Sequence, residues 1–319
     1  MKIKVIITID TEEDTWDQYS TQKNPVANIQ QIPSLKHLFD RYGARPTYLV
    51  NYPVSTDPQS VSVINKLLEN NSCEIGAHCH PWNTPPFGEP IGKENSMICN
   101  LPSELQYEKL CSLTEAIKEA FGTKPLCFRA GRWGFGPKTA AAIDRLGYRI
   151  DTSISPTMDW SGHGGPDFSF AHFNYYRFNP ENIFSPADQG RLLEIPPTIG
   201  FLQRNFSRCL AIRKVFEKPF FRRLHVLGIL ERAALLNRRW LSPELSTSKD
   251  LIRLAESFVA EGHSFLNMSF HSTSLLPGKS PFVKTSSDLS DFMNRIEAFL
   301  KYSVSKGYVF SRISDFTDS

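Results

Sequence analysis

The sequence predicts an α/β chain whose parallel strands wind into a closed or nearly closed barrel of seven or eight βα units. Three observations point there. Short apolar runs alternate with amphipathic helical patterns over most of the length. Some of the runs are apolar without alternation, as strands covered on both faces are. Most of the helical patterns stop at a glycine, the residue that commonly follows a last helical turn. An open doubly wound sheet is the alternative that the same alternation allows. A length of 319 residues fits either two domains or one elaborated barrel, and we read residues 1–319 as one domain.

In chain order, strands are expected over 4–10, 46–51, 73–78, 126–130, 148–152, 192–196, 265–271 and 308–311, all rich in Ile, Val, Leu, Phe or Tyr. Helices are expected over 32–42, 60–69, 103–121, 137–146, 249–261 and 288–306. The second of these runs to an asparagine pair at 70–71, and most of the others end at a glycine. Two stretches break the rhythm. Residues 153–190 are rich in Gly, Pro and aromatic residues and read as long loops or a hairpin over the barrel mouth. Residues 201–245 read as a basic helical insertion, carrying Arg204, Arg208, Arg213, Lys214, Lys218, Arg222, Arg223, Arg232, Arg238 and Arg239 up to residue 241 against Glu217 and Glu231.

Composition excludes several classes. Hydrophobic residues at 40% and charged residues at 22% exclude a disordered chain. With 36 Lys plus Arg against 33 Asp plus Glu, the net charge of +3 does not call for nucleic acid, and no nucleic-acid readout motif accompanies the basic stretch. No apolar run approaches the ~18 residues of a membrane helix. The opening MKIKVIITIDTEED reads as a core strand and not a signal peptide, so a cytoplasmic protein is expected, with 201–241 free to meet an anionic membrane from the inner side. The cysteines, Cys73, Cys79, Cys99, Cys111, Cys127 and Cys209, form no CxxC pair and read as reduced thiols. No GxSxG serine-hydrolase elbow occurs.

Four clusters carry chemistry. Asp10 and Glu12 close the first strand and share a face, because strand side chains alternate. At the C-terminal mouth of a barrel they make a ligand-plus-base pair, although TEED is also ordinary helix-entry sequence. His78 and His80 share a face at the end of the third strand while Cys79 points away. Two imidazoles and one carboxylate form a common zinc set with a position left for water. Arg129, beside Arg132 and Trp133 in FRAGRWG, would keep a nearby Asp10 ionised. His271 ends the strand at 265–271 and suits a general acid. His37, His163, His172, His225 and His263 carry less weight. Trp82, Trp133, Trp160, Tyr175 and Tyr176 are candidate sugar-stacking side chains, with Arg132, Asp151 and Asp159 as polar substrate contacts.

Together these clusters resemble the polysaccharide deacetylases with the NodB homology domain, carbohydrate esterase family four. TIDTEED is similar to that family's first motif, EIGAHCHP to its second, FRAGRWG to its third and SFHS to its last. HPWNTPP, FRAGRWG and HSTSLLPG resemble the WalW-like branch associated with lipopolysaccharide biosynthesis. The resemblance implies a distorted (β/α) barrel of seven or eight units and a divalent metal, usually zinc. It implies Asp10 as base, His78 and His80 as ligands, Arg129 as support of the base and His271 as acid. Family members commonly pair two aspartates in the first motif and space the histidines four apart. Here Thr11 follows Asp10 and the histidine gap is two. The third ligand is therefore assigned to Glu12, with Glu13 and Asp14 as rivals. The implied activity is removal of acetyl groups from an acetylated glycan or glycolipid. The rivals are an inactive glycan-binding protein on the same fold and another metal-dependent amidohydrolase or O-acetyl esterase.

Overall fold

The computed structural model describes residues 2–69 and 72–316, so the asparagine pair at 70–71 lies outside the described residues. The strands among the described residues are β1 (Lys4–Thr11), β2 (Thr47–Val50), β3 (Glu74–Cys79), β4 (Cys127–Ala130), β5 (Ile150–Asp151), β6 (Tyr176–Phe178), β7 (Leu192–Glu194), β8 (Ile199–Phe201), β9 (Arg238–Trp240), β10 (Phe265–His271) and β11 (Val309–Phe310). They form a sheet in the order β10-β1-β2-β3-β4-β5-β7-β6, with β11 beside the start of β1, and a separate β8-β9 pair. From β10 to β7 every neighbouring pair is parallel. Parallel neighbours need crossovers, which helices Ile32–Tyr42, Pro58–Leu68, Ser103–Phe121, Pro137–Arg145, Ser248–Ala260 and Ser286–Ser305 help to supply.

The sheet curls until its ends approach. The Thr198 backbone N–H donates to the Asn267 carbonyl at 3.0 Å, and the Asn267 N–H donates to Thr198 Oγ1 at 2.8 Å. Residues beyond β7 thus bridge to β10, which makes the architecture an incomplete, distorted (β/α) barrel and removes the open doubly wound sheet from consideration.

Strand alternation sorts the side chains into two sets. Val5, Ile7 and Ile9 of β1, Ala77 and Cys79 of β3, and Leu266, Met268 and Phe270 of β10 pack in the large core with the helices. Ile6, Leu49, Cys127, Ile150, Leu193 and Phe265 pack together in a second core. Moving along each strand in steps of two, the set containing this second core turns polar. Ile6 is followed by Thr8 and Asp10, Cys127 by Arg129, and Phe265 by Asn267, Ser269 and His271. The polar groups therefore gather at the C-terminal ends of the strands, above an apolar floor.

The basic stretch is not helical throughout. Antiparallel β8 and β9 bracket helices Phe206–Phe216, Pro219–Arg223 and Val226–Arg232. The run of alternating helical residues hid Arg238–Trp240 because its strand partner lies more than thirty residues earlier. The side chain of Arg222 lies outside what is described. The stretch at 153–190 contains β6, which pairs antiparallel with β7. No helix among the described residues is long and apolar enough to cross a membrane. All six cysteines are free thiols.

Candidate active site

Three acceptors meet at the barrel mouth. Nε2 of His78 and Nε2 of His80 are 3.0 Å apart, and each is 3.3 Å from Glu12 Oε2. The other ring nitrogens fix the tautomers. His78 Nδ1 lies 3.1 Å from the Arg129 carbonyl oxygen, which only accepts. His80 Nδ1 lies 3.1 Å from Glu13 Oε1. Each Nδ1 therefore carries the proton, and each Nε2 turns a lone pair toward the other and toward a carboxylate. Three buried lone-pair donors facing one point form a set that can hold a metal ion. Zinc ligands at about 2.0–2.2 Å in a tetrahedral array stand about 3.4 Å apart, so the observed spacings fit such an ion. Burial pushes the Glu12 carboxyl up to about 8, outweighing His271 and His80, which act to lower it.

The two rivals of Glu12 are occupied elsewhere. Glu13 accepts from the ring nitrogens of His80 and Trp82 and from Asn51 Nδ2, which orients the His80 ring from behind. Asp14 accepts from the backbone N–H groups of Ala27 and Asn28 and from the Asn28 side chain. Thus Asp14 ties the loop after β1 to the following 3-10 turn.

Two charged pairs flank the acceptors. Arg129, fully buried, donates from Nη1 to Asp10 Oδ1 at 2.6 Å, from Nη2 to Thr8 Oγ1 at 2.7 Å, and from Nε to the Thr152 carbonyl at 3.1 Å. Burial alone would raise the Asp10 carboxyl, but Arg129, with His78 and His271, overrides it and holds the group below its ordinary value. Asp10 and His271 are register partners on β1 and β10, with Asp10 Oδ2 3.7 Å from His271 Nε2. His271 Nδ1 lies 3.0 Å from Glu244 Oε2, and the His271 N–H donates to Glu244 Oε1 at 3.1 Å. Burial works against a charged ring at His271, yet Glu244, Glu12 and Asp10 together raise it to about 10.

Asp10, Glu12, His78, His80, Glu244 and His271 line a cavity of about 420 Å³ whose wall includes every tryptophan of the chain: Trp16, Trp82, Trp133, Trp160 and Trp240. Trp82 stacks on His80 with ring centroids 4.1 Å apart. Arg132 lines the cavity and pairs with Asp17 at 2.9 Å. The backbone at Arg132 and Trp133 is left-handed, with φ of 55° and 61°, which turns both residues over the mouth instead of continuing β4.

Several expected contacts lie elsewhere. Asp151 is fully buried and bonded to Ser153 Oγ at 2.7 Å, and it does not line the cavity: on β5 it alternates with the inward-facing Ile150 and is the register partner of Phe128, so it faces the helix layer. Tyr175 packs on Phe265 and Phe316, Tyr176 donates to the Ile183 carbonyl, and Asp159 caps Ser161, so none of these lines the cavity. Conversely, Trp16, Tyr19, His163, Trp240 and Glu244 line it without having been singled out. Glu244 left one faint signal: it is the sole acid between Glu231 and Asp250.

No protein-family model matches the sequence, and none of the curated proteins matches it. Solved structures do match. A proposed glycoside hydrolase/deacetylase from Parabacteroides distasonis aligns with a TM-score of 0.60 at 10% identity, covering 99% of this chain and 70% of that one. A proposed polysaccharide deacetylase from Mycobacterium smegmatis aligns with a TM-score of 0.50 at 14% identity, covering 97% of this chain and 93% of that one. The chain shares the fold of these structures. At such low identity the likeness speaks for the architecture, and the chemistry has to come from the side chains at the mouth.

Proposed function

We propose that the protein is a metal-dependent carbohydrate deacetylase, removing acetyl groups from sugar residues of a polysaccharide or of a lipopolysaccharide or other surface-glycan precursor. One observation carries this reading: the Glu12, His78 and His80 acceptors converge beside the Asp10–Arg129 and His271–Glu244 pairs in a single aromatic cavity. The fold shared with solved structures described as deacetylases supports it. The surface-glycan element rests on the motif resemblance alone.

Glu12, His78 and His80 would hold the ion, and imidazole with carboxylate favours zinc. Bound there, a divalent ion polarises a carbonyl and lowers the pKa of water. The remaining work falls to the chain. Arg129 occupies Asp10 Oδ1, so Oδ2 is the oxygen that takes the proton from the attacking water. A backbone N–H near Trp133, which lines the cavity, would stabilise the oxyanion. His271, held at Nδ1 by Glu244, donates from Nε2 to the departing nitrogen, which leaves as a neutral amine. This need for a protonated acid favours an N-acetyl group. Trp82, Trp133, Trp160 and Arg132 contact the sugar, and the products are acetate and a free amino sugar.

The test is acetate release from a panel of N- and O-acetylated glycans, before and after chelation and metal return. Asp10→Asn is expected to lower turnover by about 10²–10⁴-fold. Undiminished release after chelation, or by Asp10→Asn, counts against the proposal.

A further inference from the structure

We propose that the insertion at 201–241 docks the protein on a membrane surface rich in anionic lipid headgroups. This goes beyond the hydrolase reading and does not depend on it.

Charge is sharply divided along the chain. Residues 201–241 hold ten cations and two acids, a balance of +8, whereas the rest holds 26 cations and 31 acids, a balance of −5. Arg213 is paired with Glu217, Arg239 with Glu231 and Asp250, and Arg238 is partly buried against the Thr157 carbonyl. Arg204, Arg208, Lys214, Lys218, Arg223 and Arg232 are exposed, and no ion pair holds them among the described residues.

The same segment leaves apolar side chains in water. Phe220 is 69% exposed, Leu235 64%, Ile229 60% and Leu224 54%. With Val215 they make up five of the twelve exposed large apolar side chains of the described residues, within 21 positions. Phe221, half-buried, packs its ring 5.1 Å from Phe216 and anchors this part, while the adjacent Phe220 points outward.

The combination selects the occupant. Nucleic acid would neutralise the cations but leave the five apolar side chains without an apolar phase. A second copy placed face to face would set like charges against each other. An anionic bilayer interface receives both, cations at the headgroups and apolar side chains at the acyl boundary.

The experiment is co-sedimentation of the full chain with phosphatidylcholine vesicles, with and without phosphatidylglycerol, at low and high salt. No substrate is present, so the outcome is separate from that of the hydrolase proposal. Pelleting is expected only with phosphatidylglycerol and is expected to fall in high salt. Lys214→Glu with Lys218→Glu should lower the bound fraction by about tenfold or more. Phe220→Ser with Ile229→Ser should also reduce it, with an unchanged circular dichroism spectrum. Equal pelleting on both vesicle types, no pelleting on either, parent-level pelleting of the serine variant, or self-association or duplex DNA binding in place of vesicle binding would overturn the proposal.

Discussion

A methyl group at Gly131 would lie 2.3 Å from Cδ2 of His80, and 2.5 Å from the Cys79 carbonyl oxygen. The end of β4 thus presses on the end of β3 with no room for a side chain, and this contact fixes where the His80 ring stands. Gly131→Ala must move the ring or the backbone. We expect it to weaken divalent-metal binding by about 10–100-fold, the range found when groups that orient a ligand are altered. It should also cost about 1–3 kcal/mol of stability from overpacking. Calorimetric metal titration and denaturant unfolding measure the two effects.

Arg129 answers Asp10 inside the barrel, so truncating it leaves a buried carboxylate alone. Arg129→Met should cost about 3–5 kcal/mol, and adding Asp10→Asn should recover part of it. The pH dependence changes sign. In the parent the depressed Asp10 group contributes stability above the ordinary carboxyl value of about 3.9, lost as pH falls through its lower folded value. In Arg129→Met burial raises the group, and stability falls as pH rises instead. Urea unfolding across acid pH distinguishes the two.

Glu244 sets the protonation of His271. Activity that needs the protonated ring should persist at neutral pH and decline as pH rises through about 10. In Glu244→Gln the decline should move down toward the ordinary histidine value of about 6.5. Because the folded value is raised, the stability linked to this ring is complete below about 6.5 and lost as pH climbs through the folded value. A pH–rate profile of both proteins checks this, and an unmoved alkaline limb would dissociate Glu244 from the acid.

Asp151 and Glu194 form a fully buried carboxyl pair, in which Glu194 Oε2 has no donor. Burial raises Asp151 to about 6 and, with Asp151 beside it, holds Glu194 well above the ordinary range. Both carboxyls hold their protons to higher pH when folded than when unfolded, so the pair's contribution is present below about 4 and is lost as pH rises through 6 and beyond. Glu194→Gln should flatten that loss, measured as a smaller stability difference between pH 5 and pH 8.

Much of this was legible in the sequence for a physical reason. Strands such as Phe265–His271 and helices such as Ser103–Phe121 announce themselves by local periodicity, and the sequence reading bounded both as the structure does. Alternation placed Asp10 with Glu12 and His78 with His80 on common faces, and the register of β1 with β10 brought Asp10 beside His271. What stayed hidden depends on distant partners. Arg238–Trp240 is a strand only because Ile199–Phe201 faces it, and Glu244 matters only because His271 follows it by 27 residues. Asp151 looked like a mouth residue because it ends a strand, but it alternates with the inward-facing Ile150 and so faces the helix layer.

The most direct measurement is the metal content of the purified protein and of Glu12→Ala, His78→Ala and His80→Ala by elemental analysis, alongside acetate release. One divalent ion per parent chain is expected, lost from each variant, with hydrolysis that follows the ion. A metal-free parent that hydrolyses acetylated glycans at full rate, or variants that keep the ion, would contradict it.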